Sequence, residues 1–388
     1  MNESNETLDV RSAARDFTDE LMKRAPEIEE ARRLPRDLSD RFGAAGLYAM
    51  CAPACYGGLE LAPAETMEAI EILARADGAC GWCVFIGATS GSVLAQLPEA
   101  AAREVFARPD TLLSGVFAPR GKAVPVDGGF RVDGQWQWGS GTQNADWILG
   151  GCQVVRDGKP EMTRNGTPRS RMMLVPAEDV EFLDTWYVSG LAGTGSTDFA
   201  IRDAFVPESR AVGLGVDGPL PRPLYAFPQF GLLGMGIAAV ALGLARASIR
   251  ELVDIAGGKT PSGSARPLAA RPAAQSEVSR AEAELRSARA FYYESIGRAW
   301  EAAERDGRID VDHRRDIRLA TTHATHACAK VVDRMYDLGG GTSVYRRSPL
   351  QRIFRDVHVA TQHMMVGPST LELTGRLFLG LETDVAML

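Results

Sequence analysis

The hydrophobic period of this sequence changes twice, and that limits the architectures open to it. Up to residue 111 apolar side chains recur at helical spacing. From 112 to 210 they alternate in short runs punctuated by Pro, Gly and aromatic residues. After a proline-rich linker at 219–228 the helical spacing returns and holds to the end of the chain. The spacing predicts helices over 13–31, 38–45, 64–77, 79–97 and 98–106, the fourth apolar all round and therefore buried. It predicts strands over 113–117, 130–132, 135–138, 147–155, 171–175, 180–186 and 197–205, with a loose polar hairpin loop at 156–170. Long helices follow over 231–255, 273–306, 312–338, 350–364 and 369–379, and their short links predict an antiparallel four-helix bundle. The expectation is an α+β chain in three domains: helical at 1–111, β at 112–215, and a helical bundle at 216–388.

Composition excludes several classes of function. A net charge of −7 argues against nucleic acid as a main partner. The opening MNESNETLDV is too polar for a signal peptide, and the longest apolar run, 230–245, is short of a membrane span. A cytoplasmic protein that does not enter membranes is expected. Cys80-Gly81-Trp82-Cys83 has the C-x-x-C form, but it follows a helical segment and reads as packed core rather than a redox pair. Cys51 and Cys55 belong to a loop. His323, His326 and Cys328 lack a nearby carboxylate, so no metal is expected there.

Two stretches carry the chemistry. The first, GGFRVDGQWQWGSGTQNADWILGG at 128–151, reads as a β-meander, with Asp127-Gly128-Gly129 as one turn and Asp133-Gly134 as a hairpin turn. It places Trp138 and the hydroxyl of Ser140 at one strand end, followed by Gly141. The second, at 186–210, repeats a Gly- and Ser/Thr-rich elbow before an alternating strand. Together they resemble the middle β-domain of the acyl-CoA dehydrogenase superfamily. The run from Gly129 to Gly141 parallels the strand that family lays against its flavin, with Ser-Gly in place of Thr-Asn-Gly. The resemblance covers roughly 15–388 and is strongest to the two-component flavin monooxygenases. It implies a fold of N-terminal helical domain, middle β-domain and C-terminal four-helix bundle.

In residue terms the resemblance implies that Trp138 covers the isoalloxazine, that Ser140 bonds flavin N5, and that Phe117 and Gly141 also contact the cofactor. It implies that Gly339, Gly340 and Gly341, followed by Arg352 and Arg355-Asp356, approach a neighbouring subunit's flavin phosphates, and hence a homotetramer. Without the resemblance, the triple glycine reads equally as a helix C-cap. Acyl-CoA dehydrogenases keep a carboxylate base in the turn after the Arg-Asp helix. The matching turn here is Gln362-His363-Met364-Met365-Val366-Gly367-Pro368, with no acid; Glu372 comes too late, and Glu251 is a weak candidate on the first bundle helix. The family's phosphate loop is replaced by Lys259-Thr260-Pro261-Ser262-Gly263, which suits a flavin that arrives reduced and leaves oxidised.

His363 is therefore the candidate catalytic base, with His358 as competitor on another helix face. Trp82, Phe85, Phe227 and Phe230 are candidate substrate walls, each equally suited to core packing. No G-x-G-x-x-G follows a strand, so a separate NAD(P)H:flavin reductase is expected to supply FADH2 or FMNH2. The implied reaction forms a C4a-(hydro)peroxyflavin from O2 and oxygenates a small aromatic molecule of phenol or indole type. The alternatives are an acyl-CoA dehydrogenase with bound FAD and a flavin-free scaffold.

Overall fold

In a computed structural model the described residues are 8–213 and 220–388. The acidic opening at 1–7, the boundary at 215/216 and the start of the proline-rich linker lie outside them. Six helices come first: α1 (Val10–Asp16), α2 (Thr18–Ala31), α3 (Arg36–Ala44), α4 (Pro63–Ala76), α5 (Gly78–Gly91) and α6 (Glu99–Val105). The single helix expected over 13–31 is divided at Phe17, whose ring faces inward and packs edge-on against Phe42 at 4.8 Å. The buried helix α5 continues into a 3-10 turn, Ser92–Gln96.

Eight strands form one sheet: β1 (Leu113–Val126), β2 (Gly129–Gly139), β3 (Trp147–Arg156), β4 (Lys159–Pro160), β5 (Ser170–Pro176), β6 (Glu181–Leu183), β7 (Thr197–Pro207) and β8 (Ala211–Val212). Their order is β6-β7-β2-β1-β3-β5-β8, with β4 added to β3. The β1–β3 pair is parallel and the other pairs are antiparallel.

Asp133-Gly134 is not a hairpin turn. β2 runs through it unbroken, and the register against β7 shifts there by a bulge. The reason is tertiary. A side chain at Gly134 would lie 2.6 Å from the Gly121 backbone, and one at Gly121 would lie 2.2 Å from the Trp136 ring. Trp136 is fully buried, stacks on Phe199 at 5.2 Å and donates its indole N–H to Gly151 O at 2.7 Å. The glycines make room for that indole. The true turn is Asp127-Gly128, with Gly128 at φ +73°. We expect Gly121→Ala to destabilise the protein by about 1–3 kcal/mol through overpacking, read as a lowered thermal midpoint. An unchanged midpoint would mean that the Trp136 ring shifts freely.

The C-terminal part holds α7 (Gln229–Ala256), α8 (Pro272–Asp306), α9 (Val311–Gly339), α10 (Pro349–Thr361) and α11 (Pro368–Phe378). The N-terminal helices pack directly on this bundle. Gly243 of α7 sits against the α4 backbone, where a side chain would lie 2.6 Å from Glu71 O. Glu71 in turn accepts hydrogen bonds from Arg289 and Tyr293 of α8. Two segments, Gly78–Gln96 and Gln229–Ala256, are long and apolar enough to cross a membrane, and each is 94% buried within the fold.

Candidate active site

Three parts of the chain meet around Trp82. This indole, on α5, donates Nε1–H to Ser140 Oγ at 3.0 Å, touches the Phe85 ring edge-on at 4.9 Å, and lies 6.1 Å from the His363 ring. Phe85 is itself seated on Gly236 of α7, where a side chain would collide with its ring. Sequence reasoning took Trp82 for a wall. The structure makes it the link between Ser140 and the His363 turn.

Ser140 is held by the way β2 ends. Trp138 takes a left-handed backbone conformation, φ +68°, and the residue is 67% exposed. A non-glycine residue in this conformation is strained, and a large exposed indole is unusual for a soluble chain. Gly141, at φ +71°, turns the chain inward, and its N–H bonds Thr194 O at 2.9 Å. Ser114 Oγ donates to Ser140 O at 2.5 Å. Beyond Ser140 Oγ lie two hydroxyls of the second Ser/Thr-rich elbow. Ser196 Oγ is at 2.6 Å, and Thr194 Oγ1 lies 2.7 Å further on and reaches Leu191 O at 2.8 Å. All three hydroxyl residues are buried.

The loop that brings Thr194 and Ser196 here is fixed from two sides. Gly193 is pressed onto Ile28 of α2, and Gly190 onto the Arg355 backbone. Asp356 accepts the Leu191 N–H at 2.6 Å, and Arg355 bonds Ser189 O. The Arg-Asp pair of α10 therefore latches this loop. Burial pushes the Asp356 carboxyl up to about 7, against the opposing pull of the Leu191 N–H. A carboxyl that holds its proton more tightly when folded contributes stability that is full below its ordinary value of 3.8 and is lost as pH rises through 7. We expect Asp356→Asn, which keeps an acceptor for Leu191, to gain on the wild type by on the order of 2–4 kcal/mol between pH 4 and 8. A stability difference independent of pH would show that the carboxyl is ionised throughout.

His363 sits in the turn after α10. Its Nδ1 accepts the Met365 N–H at 3.2 Å, so in the neutral ring the proton rides on Nε2. Burial, and then the charge of Arg318, push its pKa down to about 4. The imidazole is therefore neutral at pH 7 and presents an N–H rather than a free basic nitrogen. Its turn is pinned by residues that sequence reasoning missed or misjudged. Arg318 donates to Met365 O at 3.0 Å, His326 Nε2 donates to Val366 O at 2.9 Å, and Thr370 donates to Gly367 O at 2.7 Å. His326 is thus a turn clasp. His358, the competitor, bonds Asp333 at 2.7 Å, on α9.

The remaining candidates divide. Phe117 of β1 meets Phe230 of α7, with rings 6.4 Å apart and edge-on. Phe227 packs against Trp300 of α8 at 6.3 Å. Gly339 ends α9, and Lys259 donates to Gly339 O and to Thr342 Oγ1, so in one protomer the triple glycine forms a lysine-capped helix end, with Gly340 and Gly341 exposed. Glu251 lines a small cavity with Arg250, Arg352 and Asp356, and its carboxyl is raised by burial. Cys80 and Cys83 lie in the first half of α5, which follows another helix rather than a strand, as the sequence reading expects. Their thiols are buried and pushed up by that burial, so neither forms a ready nucleophile.

Residues 4–107 match the acyl-CoA dehydrogenase N-terminal domain and residues 235–368 its C-terminal domain. The chain is 37% identical over 358 residues to an indole-3-acetate monooxygenase of Pseudomonas putida, covering 92% of this chain and 90% of that one. It superposes on the HsaA monooxygenase of M. tuberculosis with a TM-score of 0.89 at 27% identity, covering 99% and 100% of the two chains. It matches XiaF of Streptomyces in complex with FADH2 and glycerol equally, with a TM-score of 0.89 at 27% identity and 98% of each chain covered. Trp138 is exposed, the Ser140 hydroxyl and the His363 ring both lie beside Trp82, and no acid stands in the turn after α10. This chain belongs to the acyl-CoA dehydrogenase superfamily, in its branch of flavin-dependent monooxygenase oxygenase components that work with reduced flavin and O2.

Proposed function

We propose that this oxygenase acts on a small aromatic substrate of phenol or indole type, bound between Trp82, Phe85, Phe230 and His363. The observation that carries the reading is the line from Ser140 Oγ through the Trp82 indole to the His363 ring. In this reading the hydroxyl serves the cofactor and the imidazole the substrate, and both lie beside the same indole. The name of the Pseudomonas putida relative supports an indole-type ring. When bound reduced, the flavin would supply the two electrons that activate O2, one atom of which goes to the substrate and the other to water; the chain orients, keeps the site dry and holds protons. In this reading Ser140 engages the N5 edge, and Trp138, Phe117 and Gly141 contact the ring. The His363 Nε2–H donates to a substrate oxygen or carboxylate, or to the oxygen being transferred. Gly339, Gly340 and Gly341 serve a partner subunit's phosphates in a homotetramer, the reductase is a separate NAD(P)H-dependent protein, and the chain is cytoplasmic with three domains, 1–111, 112–215 and 216–388.

Titration with oxidised and then anaerobically reduced FAD and FMN, followed by exposure to O2 with a panel of phenols and indoles, tests the reading. Tighter binding of the reduced form and an oxygenated aromatic product are expected. Bleaching of a bound yellow flavin by an acyl-CoA, with no product from the panel, would overturn it.

A further inference from the structure

Ser140, Ser196 and Thr194 form a row of hydroxyls with one entrance and one exit. At the entrance Trp82 Nε1–H can only donate to Ser140 Oγ; at the exit Leu191 O can only accept from Thr194. Each hydroxyl has one proton and two lone pairs, so two complete arrangements exist. In one, Ser140 donates to Ser196, Ser196 to Thr194 and Thr194 to Leu191 O, which leaves Ser140 a lone pair for a ligand N–H. In the other, Thr194 donates to Ser196 and Ser196 to Ser140, which aims the Ser140 proton at a ligand lone pair and leaves Leu191 O without the hydroxyl. The first arrangement contains one more hydrogen bond than the second.

A reduced flavin carries hydrogen on N5, whereas the oxidised ring presents a lone pair there. We propose that Ser196 and Thr194 set the direction of the Ser140 hydroxyl and thereby make the site prefer reduced flavin. The inference rests on the reading that Ser140 faces N5. Ser196 and Thr194 act through Ser140 and are positioning residues. Their distances of 2.6 and 2.7 Å and their burial leave the row no other route for its protons.

The test is the ratio of dissociation constants for oxidised and reduced FAD, measured anaerobically on the full chain, together with the midpoint potential of the bound flavin. Ser196→Ala removes the acceptor for the Ser140 proton and frees it to point at the oxidised ring. The ratio should fall roughly two- to tenfold, the worth of one neutral hydrogen bond, and fall further than in Ser140→Ala, which loses both arrangements. Thr194→Val should lower it in the same direction, and Thr194→Ser should keep the wild-type ratio. If Ser196→Ala does not fold, the Thr194 pair carries the same comparison. An unchanged ratio in Ser196→Ala and Thr194→Val, with a lowered one in Ser140→Ala, overturns the relay and keeps the N5 reading. An unchanged ratio in Ser140→Ala overturns the N5 reading itself.

Discussion

His363→Asn is expected to cut product formed per reduced flavin by at least tenfold while leaving flavin binding near the wild-type value. The structure gives the imidazole two separate tasks. Nδ1 caps the turn by accepting from Met365, and in the proposed function Nε2–H serves the substrate beside Trp82. An Asn oxygen can retain the first task, but the amide is too short to carry its N–H to where Nε2 stands. His363→Ala loses both and should cost on the order of 1 kcal/mol of stability besides, as removal of a capping acceptor does. A ring whose pKa is lowered to about 4 contributes stability that is complete above 6.5 and lost as pH falls toward 4. Single-turnover product yield with pre-reduced flavin is the measurement. His358→Ala, which breaks the pair with Asp333 and a ring contact with Phe354, should change yield far less. Equal yields from all three variants would leave His363 as a turn cap alone.

For Ser140→Ala the expectation is uncoupling: up to about tenfold more hydrogen peroxide per product, the value of one lost hydrogen bond of about 0.5–1.5 kcal/mol at the N5 edge. The substitution also strands the buried indole N–H of Trp82, which has no other acceptor among the described residues, at a cost of about 1–3 kcal/mol in stability. Peroxide and product quantified from the same turnover separate the two effects, because lost stability alone lowers both without changing their ratio. A wild-type ratio in folded Ser140→Ala protein would reduce Ser140 to a partner for Trp82.

The fold was legible wherever the hydrophobic period was long and unambiguous. The all-apolar α5, the long bundle helices and the alternation in β3 and β7 each follow from residues near one another in sequence. The misreadings share a cause. Asp133-Gly134 has the local chemistry of a hairpin turn, but its glycine answers to Gly121 and Trp136 across the sheet. Phe17 divides a helix because its ring packs on Phe42. In the proposed site, Ser140 and His363 are candidates from sequence because both stand in recognisable turns. Ser196 is not, because its hydroxyl matters only through a partner 56 residues away. His326 could have been paired with its carbonyl only by knowing that α9 passes behind the turn at 362–368.

The docking of α4 on α7 and α8 sets the order in which this protein can be assembled. During synthesis the inner face of α4, with Met67, Ile70, Leu73 and Ala74 buried in the finished fold, emerges before the helix that covers it, which starts only at Gln229. Strand β2 likewise waits for β7, whose first residue is Thr197. Neither surface can close fully, so a nascent or truncated chain ending at residue 213 exposes the part of α4 that α7 covers, although α1, α2 and α5 still pack on the rest. Such a fragment is a substrate for chaperones or aggregation rather than a free-standing unit. The segments that look most independent in sequence gain their stability together, and only once the bundle has been made.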